Sequence, residues 1–441
     1  MDRSTTAAEN RPGPVQAGER MTAVDVVRGF ALLGILIFNM SSFAGYSLDW
    51  RAHTSPLDQA IVLLTHLLVQ AKFYSLFSFL FGWGMAVQLL RSRARRVHFV
   101  PRSLRRLLVL LFIGMVHGML IWDGDILTAY ALSGFLLVLL RNRSGKVLLP
   151  FALLCLLFSI FVTLPVEPAE RLREAYQEWT VFLRSGRYSR ELFTSPVFSE
   201  VTRVRVQSYL NRSAGYLYYF GNIFAMFLLG LWAGKQRILQ DSGGHRRLLR
   251  WTALLGFILG LMLNAVFVGL MVWPQAVPAD WLGSVRVGAR TLGAPALMLF
   301  YLSAILLLYQ RPSWQRRLGV LAPLGRTALS SYIGQSLFCT LVFYGYGLGL
   351  YGQVGPAFGL LLTVLIYAVQ IRLSAWWLGR FRFGPLEWLW RSLTYLRLQP
   401  LRGPGVPAAG AHAAGRAGLL VNLLLRFGLA AALAWALLQG A

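Results

Sequence analysis

The sequence predicts an all-α, polytopic membrane protein. Two observations carry this. The 441 residues are 56% hydrophobic and only 14% charged, where a soluble chain of this size carries about 25% charge. The apolar residues also gather into repeated runs of membrane-crossing length, separated by short arginine-rich blocks. The net charge of +26 therefore follows the positive-inside pattern of cytoplasmic loops, and nucleic acid is not expected as a partner. Cys155 and Cys339 lie inside apolar runs, which points away from a disulfide framework or a metal site.

Residues 1–20, without hydrophobic periodicity, are expected to form a disordered cytoplasmic tail. Span 1 runs over about 24–43, long enough at about 30 Å to cross a bilayer. An apolar piece at 57–70, short for a span and carrying His66 and Gln70, reads as a re-entrant or interfacial helix. Span 2 follows at about 73–90, span 3 at 105–122, span 4 at 126–140 and span 5 at 147–165. Residues 21–165 thus make an N-terminal transmembrane half. The polar, mixed-charge segment 166–215 reads as a helical extramembrane element on the outer side.

Span 6 is expected at about 217–234, span 7 at 251–273, span 8 at 291–309, span 9 at 328–348 and span 10 at 356–378. With an aromatic, basic interfacial stretch to residue 397, these make a second half over 216–397. Residues 398–441 hold a Gly/Pro/Ala-rich linker and an expected eleventh span. The basic loops all fall on one side when the N-terminus is cytoplasmic, which sets the expected topology. A long first span followed by many others reads as an uncleaved anchor.

Polar groups inside membrane spans are costly unless paired or facing water, so they are the functional candidates. Span 1 carries Asp25, Arg28 and Asn39. The first two are spaced to pair, and Arg28 and Asn39, eleven residues apart, share a helix face. Span 3 and its turn carry His117, Asp123 and Asp125 in MVHGMLIWDGDILTAYA. A histidine beside a carboxylate suits a general base, the carboxylate holding the ring's tautomer. The alternative is an interhelical hydrogen bond with a solvated, capping turn. The run AKFYSLFSFLFGWG brings Lys72, Tyr74 and Ser75 to span 2, with Gly82 and Gly84 permitting close helix contact. At the cytoplasmic side, Ser331 and Gln335 share a face, and Glu387 and Arg391 are spaced to pair. With Arg28 and Arg326 they are candidates to surround an anionic cofactor such as coenzyme A; interfacial anchoring is the alternative. Walker, dinucleotide and GxSxG motifs are absent.

The pieces DVVRGFALLGILIFNM, KFYSLFSFLFGWG, VHGMLIWDGDILTAYALSG, GRTALSSYIGQS and RFGPLEWLWRSLTY stand in this order over residues 20–397. Together they resemble the YeiB family, a bacterial inner-membrane family carrying a domain of unknown function. The DxxRG start of span 1 is also similar to two groups of transmembrane acyltransferases. In the polysaccharide O-acetyltransferases an essential His follows the Arg where this chain has Asn39. In the heparan-α-glucosaminide type an Asn stands there and the reactive His lies in the next loop, roughly where His53 falls.

The resemblance implies an acyltransferase that uses cytoplasmic acyl-CoA (acetyl-CoA or longer) and no metal. The acceptor would be a small molecule, lipid or glycan bearing a hydroxyl or amine. His117, Asp125 and Asn39 would do the chemistry, and Asp25, Arg28, Ser331, Gln335, Glu387 and Arg391 would hold the donor. A transporter for a small amphipathic or anionic substrate, and a membrane scaffold with structural polar pairs, are the other expectations.

Overall fold

The computed structural model describes residues 21–179, 193–213 and 216–402. Among these there is no strand; the chain is a bundle of helices. The expected N-terminal tail and eleventh span lie outside the described residues.

The first half comprises α1 (Thr22–Ala44), α2 (Pro56–Leu64), α3 (Lys72–Ala94), α4 (Phe99–Val116), α5 (Leu127–Leu139) and α6 (Gly145–Phe161). Next come α7 (Glu167–Trp179) and α8 (Phe198–Ser213), within the polar segment 166–215. The second half comprises α9 (Tyr216–Lys235), α10 (Arg246–Val272), α11 (Ala279–Tyr309), the short α12 (Pro312–Leu318) and α13 (Ala322–Arg326), α14 (Ala328–Phe343), α15 (Pro356–Leu378) and α16 (Pro385–Tyr395).

Six helical stretches among the described residues are long and apolar enough to cross a membrane, and α5, α6 and α14 are shorter apolar helices. Leucines 132, 136 and 139 of α5, leucines 153, 154 and 157 of α6, and Leu254, Phe257 and Ile258 of α10 face outward. In water such faces would drive aggregation, whereas in a bilayer they meet lipid tails. The chain is a multi-pass membrane protein, and the bilayer is its first partner.

α1 is the central element. Its buried residues run from Val24 to Ala44, and α3, α13, α14 and α15 all pack on it. Tyr367 of α15 donates to the carbonyl of Gly29 at 2.8 Å. A helix enclosed by protein can keep polar groups on its own face without exposing them to lipid, which is what Asp25, Arg28 and Asn39 require.

Several elements depart from the hydropathy reading. α2 and α3 form one path broken at Gln70–Ala71, where Thr65–Val69 makes a π turn and Ala71 adopts a left-handed φ of 69°. α4 begins at Phe99, so Arg102, Arg105 and Arg106 ride on its first turns. α6 stops at Phe161, short of Pro165. α11 begins at Ala279, well before the expected 291, and carries Arg286 and Arg290 on the helix. α14 ends at Phe343, because the backbone N–H of Gly345 turns away to the carbonyl of Phe193 at 2.8 Å. Of the two glycines in span 2, only Gly82 marks a close approach: a Cβ there would sit 2.1 Å from the carbonyl oxygen of Phe227, while Gly84 faces open space.

Candidate functional site

α1 carries one continuous polar-to-apolar-to-polar stripe. Arg28, Leu32, Ile35 and Asn39 recur at helical spacing, and each lines one or more of three neighbouring cavities. The first cavity, about 500 Å³, lies where α1 starts, among the arginine-rich loops. Arg28, Arg91, Arg95, Arg102, Arg106 and Arg391 line it, and among the described residues Asp25 is the only carboxylate in its wall. The second, about 240 Å³, is mostly apolar and shares Arg28, Arg106 and Arg391 with the first. The third, about 640 Å³, shares Ile35, Ile126 and Tyr332 with the second and is lined by Asn39, Asp123 and Asp125. From Arg28 to Asn39 the helix rises about 16 Å.

At the far end of this series stands a buried His–Asp pair. α4 ends in a π turn, His117–Ile121, closed by the N–H of Trp122 on the carbonyl of His117 at 2.8 Å. Such wide turns recur at functional sites because they displace a side chain from the regular ladder. Here the turn leaves His117 Nδ1 2.9 Å from Asp125 Oδ1, with both side chains sealed from solvent. Asp125 Oδ2 accepts the backbone N–H of Thr128 at 2.8 Å, capping α5. With both Asp125 oxygens as acceptors, a neutral His117 carries its ring proton on Nδ1 and its lone pair on Nε2. Nε2 is buried and has no hydrogen-bond partner among the described residues. The His117 ring lies against Tyr332 (5.1 Å between centroids) and Trp122 (6.1 Å). Both of these rings line the third cavity, so the imidazole stands one side chain behind its wall.

The polar segment contributes the lid of this site. α8 packs on the His117–Ile121 turn. Its Arg205, fully buried, donates to the carbonyl of Leu120 and lies over the rings of Phe198, Tyr344 and Tyr346. Arg212 pairs with Asp123 at 2.9 Å, Ser208 donates to the same carboxylate, and Tyr209 donates to Thr128 Oγ1 at 2.9 Å. Asp123 is therefore a docking point for α8 rather than a group of a solvated turn. None of these α8 residues stood out in the sequence, where the segment is uniformly polar.

The donor-side candidates divide. Asp25 and Arg28 pair at 3.0 Å and both line the first cavity. Arg391 lines the first and second cavities and stacks over Phe383 at 4.8 Å. Glu387 lines the second cavity, but its expected pairing with Arg391 is replaced. Its Oε1 accepts the backbone N–H groups of Leu329 (2.7 Å) and Ser330 (3.1 Å), and its Oε2 accepts Ser330 Oγ (2.6 Å). The first turn of α14 has unsatisfied donors, and a carboxylate brought from α16 satisfies them. Burial pushes the Glu387 carboxyl up, against the opposing pull of these bonds.

Ser331 and Gln335 line none of these three cavities. Ser331 Oγ bonds Thr327 Oγ1 at 3.1 Å, and Gln335 donates to Gln370 at 2.9 Å, which donates back to the Ser331 carbonyl at 3.0 Å. Polar side chains between apolar helices satisfy each other first, and α14 and α15 are joined this way. His66 is likewise spent, on Gln70 and on the carbonyl of Leu48. His53 sits in the loop after α1, its Nε2 2.8 Å from the carbonyl of Ser47. Among the described residues no cluster of three His, Cys, Asp or Glu is placed to hold a metal ion.

Fold and site together define a polytopic helical membrane protein with a buried His–Asp pair at one end of a cavity series and an arginine-lined cavity at the other. Residues 233–397 match the family model described as "Protein of unknown function (DUF418)". The chain is 37% identical over 409 residues to "Uncharacterized protein YxaH" of Bacillus subtilis (strain 168), covering 88% of this chain and 97% of that one. It is 30% identical over 389 residues to "Uncharacterized protein YeiB" of Escherichia coli (strain K12), covering 85% and 96%. The chain belongs to this YeiB-like DUF418 family.

Proposed function

We propose that the chain is an acyl-CoA-dependent acyltransferase of the bacterial cytoplasmic (inner) membrane, with its N-terminus and arginine-lined cavity on the cytoplasmic side. The orientation follows from the arginine blocks gathered at that end. The acceptor is a hydroxyl or amine compound, a small molecule, lipid or glycan, reached within the membrane or from outside it.

The observation that carries this reading is the buried His117–Asp125 pair joined, along the Arg28–Asn39 face, to a cavity walled by arginines. The phosphates of CoA match guanidinium groups, which bind them through paired N–H donors. The acyl end, apolar and uncharged, suits the second cavity. At the third, His117 Nε2 takes the acceptor's proton as the acceptor oxygen or nitrogen bonds to the thioester carbonyl carbon. Asn39 donates to the oxygen on which charge develops. When the intermediate collapses the C–S bond breaks, and the proton held by His117 passes to the departing thiolate. Asp125 holds the tautomer and supports the transient imidazolium. Because Trp122 and Tyr332 stand between His117 and the cavity, one of these rings must turn aside for the step.

A transporter for a small amphipathic or anionic substrate is favoured by the same cavity series, which runs from one end of the bundle towards the other. The two readings separate in a thermal-unfolding titration of the purified protein with acetyl-CoA, longer acyl-CoAs and free CoA. The transferase reading expects stabilisation by acyl-CoA that Arg28→Ala abolishes. No shift with any CoA species would refute it and favour transport.

A further inference from the structure

The third cavity has four charged side chains in its wall: Asp123, Asp125, Arg212 and Arg290. Three are matched. Asp123 is held by Arg212 and Ser208, and Asp125 by His117 and the Thr128 N–H. Arg290 is different. It lies on α11, one of the membrane-length helices, and its contact among the described residues is the ring of Phe267, 5.8 Å away. No carboxylate or hydrogen-bond acceptor among the described residues meets its guanidinium.

A second cation stands close by. Lys72 is fully buried at the start of α3 and within electrostatic reach of Arg290. Its ammonium donates to the carbonyl of His66 at 2.7 Å, a carbonyl freed by the break at Gln70–Ala71. A dipole is thus its partner, not a charge. Lys72 is fully buried and Arg290 half-buried; two cationic groups set close together in a membrane bundle repel each other, a cost that a counter-charge would offset. The protein supplies none among the described residues, while the cavity beside Arg290 has room for a ligand that would.

We infer that Arg290 makes the third cavity an anion site, and that the molecule bound there beside Asn39 and Asp125 carries a phosphate monoester. Arg290 provides the planar two-pronged donor that a phosphate accepts. Lys72, buried within electrostatic reach of it, adds a second cationic group when protonated. That this molecule is the acyl acceptor rests on the transferase reading; anion binding at Arg290 does not, since a transporter would hold its cargo there equally. The phosphate can come from a free metabolite or from a lipid headgroup.

The test is thermal unfolding of the purified full chain in detergent with two matched probe pairs. One pair is sn-glycerol 3-phosphate against glycerol, the other lysophosphatidic acid against monoacylglycerol of equal chain length. The expected result is stabilisation by the phosphate member of at least one pair and none by its neutral counterpart; the responding pair identifies a free or a lipid source. Arg290→Gln and Arg290→Ala should weaken that response at least about tenfold, and Arg290→Lys should retain part of it. The Tm of each variant without ligand, compared with wild type, is the check that it is folded, and the acetyl-CoA shift is read on the same variants. No response to either phosphate probe, an equal response to a neutral partner, or an undiminished response in a folded Arg290→Gln protein would overturn the inference. Loss of the acetyl-CoA shift in wild type with the phosphate response intact would instead overturn the transferase reading alone.

Discussion

Replacing Asp125 separates what the His–Asp pair does for stability from what it does for chemistry. Asp125 accepts two buried hydrogen bonds, from His117 Nδ1 at 2.9 Å and from the Thr128 N–H at 2.8 Å. Asp125→Asn keeps one acceptor oxygen, which stays on Thr128. The new amide N–H then faces Nδ1, and the imidazole adapts by moving its proton to Nε2. Both contacts survive in altered form, so the stability cost is about 0.5–1.5 kcal/mol. The lone pair on Nε2 is gone, however, and general-base catalysis should fall about 10²–10⁴-fold. Asp125→Ala strands two buried donors at about 1–3 kcal/mol each, a cost of about 2–6 kcal/mol. Thermal unfolding in detergent reads the first quantity and acyl-CoA-dependent release of free CoA the second. An Asp125→Asn protein as active as wild type would refute the tautomer argument. An Asp125→Ala protein that unfolds no earlier would refute the buried pair.

Gly114→Ala places a Cβ 2.7 Å from the Thr128 nitrogen and 3.0 Å from Asp125 Oδ2. It should destabilise the fold by about 1–3 kcal/mol, seen as a lowered Tm, and depress activity by pushing Asp125 off His117. Ser331→Ala and Gln335→Ala should each cost about 1 kcal/mol in thermal unfolding and leave the acyl-CoA response unchanged, since Ser331 Oγ bonds Thr327 at the start of α14 and Gln335 ties α14 to Gln370 of α15. Burial raises the Glu387 carboxyl above its ordinary value. The folded state therefore holds that proton more tightly, and stability falls as pH rises from about 4, where an unfolded glutamate titrates, through the raised folded value. Glu387→Gln should flatten this part of the Tm–pH profile; an unchanged slope would show that Glu387 does not titrate there.

Hydropathy located most of the apolar helices because a bilayer imposes length and composition on each one separately. It failed where a charge sits on a membrane helix. A span drawn from residue 291 ended one residue short of Arg290, although α11 runs back to Ala279. The His117–Asp125 pairing was legible from their closeness along the chain, but the π turn that achieves it has no sequence signature. The lid residues Arg205, Ser208 and Arg212 were not legible. They reach Leu120 and Asp123 across 85 to 89 residues of sequence, and a polar helix gives no hint of what it covers. The spacing of Glu387 and Arg391 suggested a pair, but Glu387 instead meets the first turn of α14. Regular helical spacing shows which side chains can meet within one helix, but not which unsatisfied groups a neighbouring helix will present.

The central claim is that His117 activates an acceptor against a thioester delivered from the arginine-lined cavity. The most direct measurement is release of free CoA from acyl-CoA by the reconstituted protein, wild type against His117→Ala, with a range of phosphate-bearing and neutral acceptors. The account predicts acceptor-stimulated CoA release that His117→Ala lowers at least about 100-fold, while acyl-CoA still raises the Tm of the variant. CoA release at the wild-type rate from His117→Ala, or none from wild type with any acceptor, would contradict it.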